Sequence, residues 1–147
     1  MSGVVCAIRG GPSSQRTIEH AIGLAKETEL PLFFLYVVNL DFLAHTESSR
    51  TRLISSEMHE MGEFILCNAQ TKAEEKNIHA FRVVRQGAVT EEIINLAKEI
   101  EADYIILGQP EGADTEDVFT MERLNQFSEQ LSEESGAKVI ITEKEEE

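Results

Sequence analysis

The hydrophobic positions of the chain follow two alternating periodicities, which predict alternating strands and helices. Short runs rich in Val and Ile, without regular polar interruption, are typical of strands that are buried on both faces. Between these runs, apolar residues recur every three or four positions, which is typical of amphipathic helices. The predicted strands cover residues 4–8, 31–38, 80–84, 104–107 and 139–141.

Four helical patterns separate these strands, and each has its own apolar stripe. The second pattern is the longest and follows a predicted loop at 39–49. Met58 and Met61 belong to its stripe and Cys67 lies close by, so we expect all three side chains in the core. The stripes consist of Ile18, Ala21, Ile22 and Ala25; Ile54, Met58, Met61, Ile65 and Ala69; Ile93, Ile94, Ala97 and Ile100; and Leu124, Phe127 and Leu131.

This order of elements predicts a single α/β domain. Apolar strands that alternate with helices form a parallel sheet with helices on both faces, here a three-layer sandwich of five strands and about four helices. We expect the domain to span residues 1–142, followed by a solvated acidic tail at 143–147. Ligands of such sheets bind beyond the carboxyl ends of the strands, where the winding direction reverses. The loops that follow the strands therefore form the candidate site.

The charge of the chain narrows the classes of partner. Asp and Glu number 27 against 13 Lys and Arg, which gives a net charge of −14 over 147 residues. Without a basic stripe to neutralise phosphates, neither nucleic acid nor an anionic membrane surface is an expected partner. The longest apolar run is shorter than the ~20 residues that cross a bilayer. Two cysteines without metal-ligand spacing favour a reducing, cytoplasmic location.

Three segments resemble the universal stress protein family. Residues 4–14, VVCAIRGGPSS, are similar to the family's opening strand and its Asp-Gly-Ser-x-x-Ser loop. Residues 31–38, PLFFLYVV, resemble its second strand, which ends in a valine pair. Residues 83–108 contain VVRQGAVTEEII and end in ADYIILG, and they resemble the third strand, glycine turn, helix and fourth strand in register. The last strand is similar as well.

The resemblance implies a strand order, an assembly and a general role. The expected strand order is 3-2-1-4-5, and the expected function is a non-enzymatic one in stress response or regulation through protein partners that are not identified. The family commonly forms homodimers through the last strand, which puts Val139, Ile140 and Ile141 at the expected interface. An exposed apolar edge strand also favours pairing on physical grounds. The alternative is that a helix or the tail covers this edge.

The resemblance also implies a nucleotide site, which this sequence alters. ATP-binding members of the family carry the pattern Gly-x-x-Gly, nine further residues, then Gly-Ser/Thr. In this sequence the second glycine comes one residue late, and Glu122-Arg123 stand in place of Gly-Ser. Carboxylates within 111–117 would repel a phosphate. We expect a degenerate site that needs no cofactor and binds ATP or AMP weakly. Its residues would be Arg9, Gly10, Gly11, Val37, Val38, Gly87, Gly108 and Gly112.

Other functions stay open as alternatives. The first is a stress protein that still binds ATP, ADP or AMP at these loops. The second is an ATP hydrolase or pyrophosphatase, because residues 9–14 faintly resemble the Ser-Gly-Gly-x-Asp-Ser loop of ATP pyrophosphatases; both the first serine and the aspartate are missing. Where ATP-binding relatives carry an acid, this chain has Arg9, which we expect to pair with an acid of 111–117. His59 and Glu63 share a helix face, but no third metal ligand is identifiable.

Overall fold

The computed structural model describes residues 2–9, 14–40, 48–108 and 118–142. The predicted tail at 143–147 lies outside them. Within these residues, five strands and four helices alternate in the predicted order. They are β1 (Val4–Ala7), α1 (Ser14–Thr28), β2 (Leu32–Val38), α2 (Ser48–Glu75), β3 (Ala80–Gln86), α3 (Val89–Ile100), β4 (Tyr104–Gly108), α4 (Val118–Ser135) and β5 (Lys138–Thr142).

The five strands form one parallel sheet in the order β3-β2-β1-β4-β5. The central strand β1 pairs with β2 on one side and β4 on the other, so that Val5 lies opposite both Phe33 and Ile105. The winding direction reverses between β1 and β4, which is where such sheets open a crevice for ligands. The predicted fold class and strand order are confirmed.

Two hydrophobic cores cover the two faces of the sheet. Because successive strand residues point to opposite faces, Val4 and Cys6 pack under α1 and α2, whereas Val5 packs under α3. All three side chains are fully buried, as the uninterrupted apolar runs predicted. Burial of one such side chain contributes about 1.5–3 kcal/mol. Within the described residues, no helix is both long and apolar enough to cross a membrane.

Helix α2 differs from the prediction in its start and in its buried face. It begins at Ser48, inside the predicted loop. Gly62 is buried against β2, where an added Cβ would lie 2.5 Å from the Tyr36 ring. Residues adjacent in a helix point about 100° apart, so Met61, next to Gly62, turns outward and is 54% exposed. Cys67 is exposed too. The prediction that these two side chains are in the core was wrong.

Candidate functional site

The carboxyl ends of the strands bring together the described members of the predicted site. Val38 lies opposite Gln86 in the register of β2 and β3, next to Gly87. At the other side, Gly108 lies opposite Thr142 of β5. Arg9 follows the central strand and is exposed. Three predicted members, Gly10, Gly11 and Gly112, lie outside the described residues, as does the acidic segment 111–117.

Gly87 follows the last residue of β3 and lies beside the carboxyl end of β2. Its amide donates a hydrogen bond to the Val38 carbonyl at 3.0 Å. Its φ of 152° lies in the region that favours glycine, and a Cβ there would lie 3.0 Å from a Glu92 carboxylate oxygen. Glu91 and Glu92 occupy the first turn of α3. The chain's own carboxylates therefore already occupy the positive end of this helix dipole.

Gly108 closes the β4–β5 end and lies against a buried pair of hydroxyls. A Cβ at Gly108 would lie 2.6 Å from Thr17 Oγ1 of α1. That hydroxyl is 2.9 Å from Thr142 Oγ1, and the Thr142 hydroxyl lies 3.3 Å from the Leu107 carbonyl oxygen. Thr17 and Thr142 are both buried. Gly108 thus leaves room for a side-chain contact within the fold.

Three of the described arginines, two on β3 and one after β1, differ in their ion-pair partners. The Arg85 guanidinium binds Glu99 through two hydrogen bonds, of 3.3 and 2.6 Å. This contact lowers the pKa of the Glu99 carboxyl. Arg82 lies 3.5 Å from Glu63. No acidic side chain of the described ranges forms an ion pair with Arg9. The segment 111–117, where we expect its partner, lies outside those ranges.

His59 and Glu63, the helical pair that lacks a third metal ligand, contact other side chains. His59 Nε2 lies 3.1 Å from Gln86 Oε1, and the Glu63 carboxylate lies near Arg82. In the part of the chain that the structure describes, no group of three His, Cys, Asp or Glu side chains could hold a metal ion. These two residues link α2 to β3.

A cavity of about 190 Å³ lies between α1 and α2, where the sequence pattern predicted no site. It begins at the first turn of α1, where Ser14 is buried, and continues to Lys72 of α2. Ser14 and Thr17 precede Ile18 and Ala21 at helical spacing, so an extension of the predicted stripe would have indicated that both are buried. The cavity is lined by Ser14, Gln15, Ile18, Ile65, Asn68, Ala69 and Lys72.

Comparison with known proteins identifies the family. The family model of the universal stress proteins matches residues 1–142. The chain belongs to the universal stress protein family. It is 32% identical over 115 residues to universal stress protein YxiE of Bacillus subtilis, covering 71% of this chain and 76% of that relative. A universal stress protein of Methanocaldococcus jannaschii is 28% identical over 106 residues, covering 71% of this chain and 62% of the relative's length.

Solved structures of universal stress proteins share the fold. One, described as a universal stress protein in complex with cAMP, has a TM-score of 0.71 and 17% identity, with 98% of each chain covered. Another, from Archaeoglobus fulgidus in complex with dAMP, has a TM-score of 0.62 and 13% identity, with 96% of this chain and 97% of that chain covered. At these identities, the similarity shows only that this universal stress protein shares their fold.

Proposed function

We propose that this universal stress protein is a non-enzymatic, cytoplasmic homodimer that acts in stress response or regulation through protein contacts. Its nucleotide site is degenerate and binds adenine nucleotides weakly or not at all. The contact of Gly108 with the Thr17–Thr142 hydroxyl pair carries this proposal.

The contacts of two predicted site glycines support a structural role for them. A glycine in a phosphate-binding loop lets the ligand approach the backbone. At Gly108, the space that a Cβ would take is bounded by the Thr17 hydroxyl, and at Gly87 it is bounded by the Glu92 carboxylate. A carboxylate there opposes an anion, and the net charge of −14 adds to the repulsion. Both glycines are thus accounted for without a phosphate.

Binding of an adenosine monophosphate is the second candidate. Universal stress proteins described in complex with cAMP and with dAMP have the same fold. One phosphate needs fewer donors than a triphosphate, and Arg9 offers an exposed guanidinium beyond the central strand. The end of β2, where Val37 is half-buried and Val38 is fully buried, would then lie beside the base.

Isothermal titration calorimetry on nucleotide-free protein distinguishes the two candidates. With AMP, cAMP or Mg²⁺-ATP at millimolar concentration, we expect no heat of binding or a weak heat that does not saturate. Low-micromolar binding of AMP near one per chain would instead establish the second candidate. Arg9→Ala should then weaken it, whereas Arg16→Ala, at an exposed arginine of α1, serves as the matched control. Release of phosphate or pyrophosphate from ATP above background would overturn the non-enzymatic proposal.

The residues on the two outer strands of the sheet, β3 and β5, favour β5 as the homodimer interface. The edge strand β3 carries Arg82 and Arg85, and charged edge residues discourage strand pairing. On β5, three half-buried apolar side chains, Val139, Ile140 and Ile141, follow Lys138. Light scattering should give at least twice the 16.4 kDa chain mass. Hydrogen exchange at residues 138–142 should slow as concentration rises; a monomer, or a dimer with concentration-independent exchange there, would contradict β5 pairing.

A further inference from the structure

Three large apolar side chains are exposed on α2. Leu53, Met61 and Phe64 have 61%, 54% and 68% of their surface accessible. They account for three of the four large hydrophobic residues that are exposed in the described ranges. A group of this kind on one element marks an interaction site when its members share a face.

These side chains do share a face, and it points away from the sheet. Leu53, Met61 and Phe64 are separated by eight and three residues, close to whole turns of an α-helix. Gly62 and Leu66 are buried against the protein on the opposite side of the helix. The row continues through exposed polar side chains at steps of three or four residues, and at two full turns from Asn68 to Glu75. We name it the outer stripe: Arg50, Leu53, Glu57, Met61, Phe64, Asn68 and Glu75.

We propose that the outer stripe binds the outer stripe of a second copy of this chain, with the two α2 helices antiparallel. The two-fold axis lies on the outer side of α2, at the level midway between Gly62 and Glu63 along the helix. It brings Met61 of one copy opposite Phe64 of the other. The same axis brings Arg50 opposite Glu75 and Glu57 opposite Asn68. Each charge of the outer stripe thereby meets a complementary group, and Met61 and Phe64 meet at the centre. Leu53 comes opposite Lys72, whose aliphatic stem can cover it.

Charge complementarity selects a second copy as the occupant. Arg50 and Glu75 are exposed and lie near opposite ends of α2, so an antiparallel copy supplies two Arg–Glu pairs at once. A parallel copy would put like charges together. The Asn68 amide can donate a hydrogen bond to the Glu57 carboxylate, so no carboxylate of the stripe faces another.

The length and position of α2 allow this contact. A helix of 28 residues is about 42 Å long, and steps of three and four residues suit helices that cross at about 20°. Helix α2 packs on β2 and β3, at the edge of the sheet opposite β5. The contact is therefore independent of the proposed strand pairing, and the two together would give species larger than a dimer.

Sedimentation velocity with charge-reversal variants tests the proposal. Arg50→Glu and Glu75→Arg should each weaken self-association about tenfold, because two ion pairs become two repulsive contacts. The double variant should restore it, since each copy then supplies both reversed charges. Arg52→Glu and Glu74→Arg make the same charge changes outside the stripe and should leave association unchanged.

Phe64→Glu provides the second test, at the centre of the stripe. This exposed position tolerates a charge, so the fold should be retained, as circular dichroism will verify. Self-association through the outer stripe should be lost. If wild type and Phe64→Glu have the same mass at every concentration, the proposal is wrong. It is also wrong if the double charge reversal fails to restore association. Hydrogen exchange at β5 reports on the strand dimer separately.

Discussion

The side-chain hydroxyls of Thr17 and Thr142 lie 2.9 Å apart, although 125 residues of sequence separate them. The pair links the first helix to the end of the last strand. Its Thr142 hydroxyl also reaches the Leu107 carbonyl, and Gly108 leaves the space that Thr17 occupies. This polar contact lies beside Gly108, the first glycine of the altered nucleotide motif.

Thr142→Val should destabilise the protein by about 1–3 kcal/mol, because the buried Thr17 hydroxyl loses its partner. Thr17→Val should cost less, because the Thr142 hydroxyl keeps the Leu107 carbonyl as a partner. The double variant should be more stable than the sum of the two losses predicts, since no buried hydroxyl remains unpaired. Urea unfolding of the four proteins measures this coupling. Simple additivity of the two losses would mean that the hydroxyls do not interact.

Gly108→Ala should lower the free energy of unfolding by about 1–3 kcal/mol, because its methyl group would overlap Thr17 Oγ1. Gly23→Ala is the matched control within α1, where an added Cβ meets nothing within 4 Å. Relief of the glycine's entropy cost should make the control neutral or stabilising by up to about 1 kcal/mol. Equal urea midpoints for wild type and Gly108→Ala would contradict the packing role of Gly108.

The two cysteines should react at very different rates with a thiol reagent. Cys67 is exposed and should be modified at once. Cys6 is fully buried, and burial raises the pKa of its thiol well above the usual range, so the reactive thiolate is not formed in the folded protein. Ellman's reagent should titrate one thiol per native chain, and Cys67→Ser should remove that fast phase. Two fast equivalents would show that the β1 core opens readily.

Hydrophobic pattern predicted the sheet well because strands buried on both faces leave an unambiguous signal. Val4, Val5 and Cys6 are fully buried, as their uninterrupted run implies. The pattern on α2 was less decisive. Spacing alone defines the predicted stripe, whereas the approach of Gly62 to Tyr36 fixes the face that is buried. A residue without a side chain carries no hydrophobic signal, so Met61 was placed in the core.

The candidate site was predictable in location and only partly in content. The strand ends meet at one edge in any parallel sheet, which brought Val38, Gly87 and Gly108 to the expected place. The contacts of those residues depend on distant parts of the chain. Spacing could not reveal that Thr17 and Thr142 meet beside Gly108, because 125 residues of intervening fold determine that encounter.

The Arg85–Glu99 contact should make the Glu99 carboxyl more acidic than usual. Its hydrogen bond to Arg85 lowers the Glu99 pKa. The contact therefore stabilises the folded state in full at pH values above the ordinary carboxyl pKa of about 4.3. That stabilisation should be lost as the pH falls through the lowered folded-state value. Carboxyl NMR titration should place Glu99 below its usual range. Arg85→Gln should raise it back, and Arg85→Lys, which keeps the charge without the planar fork, should give an intermediate value. An unchanged Glu99 titration in Arg85→Gln would show that the pair does not persist in solution.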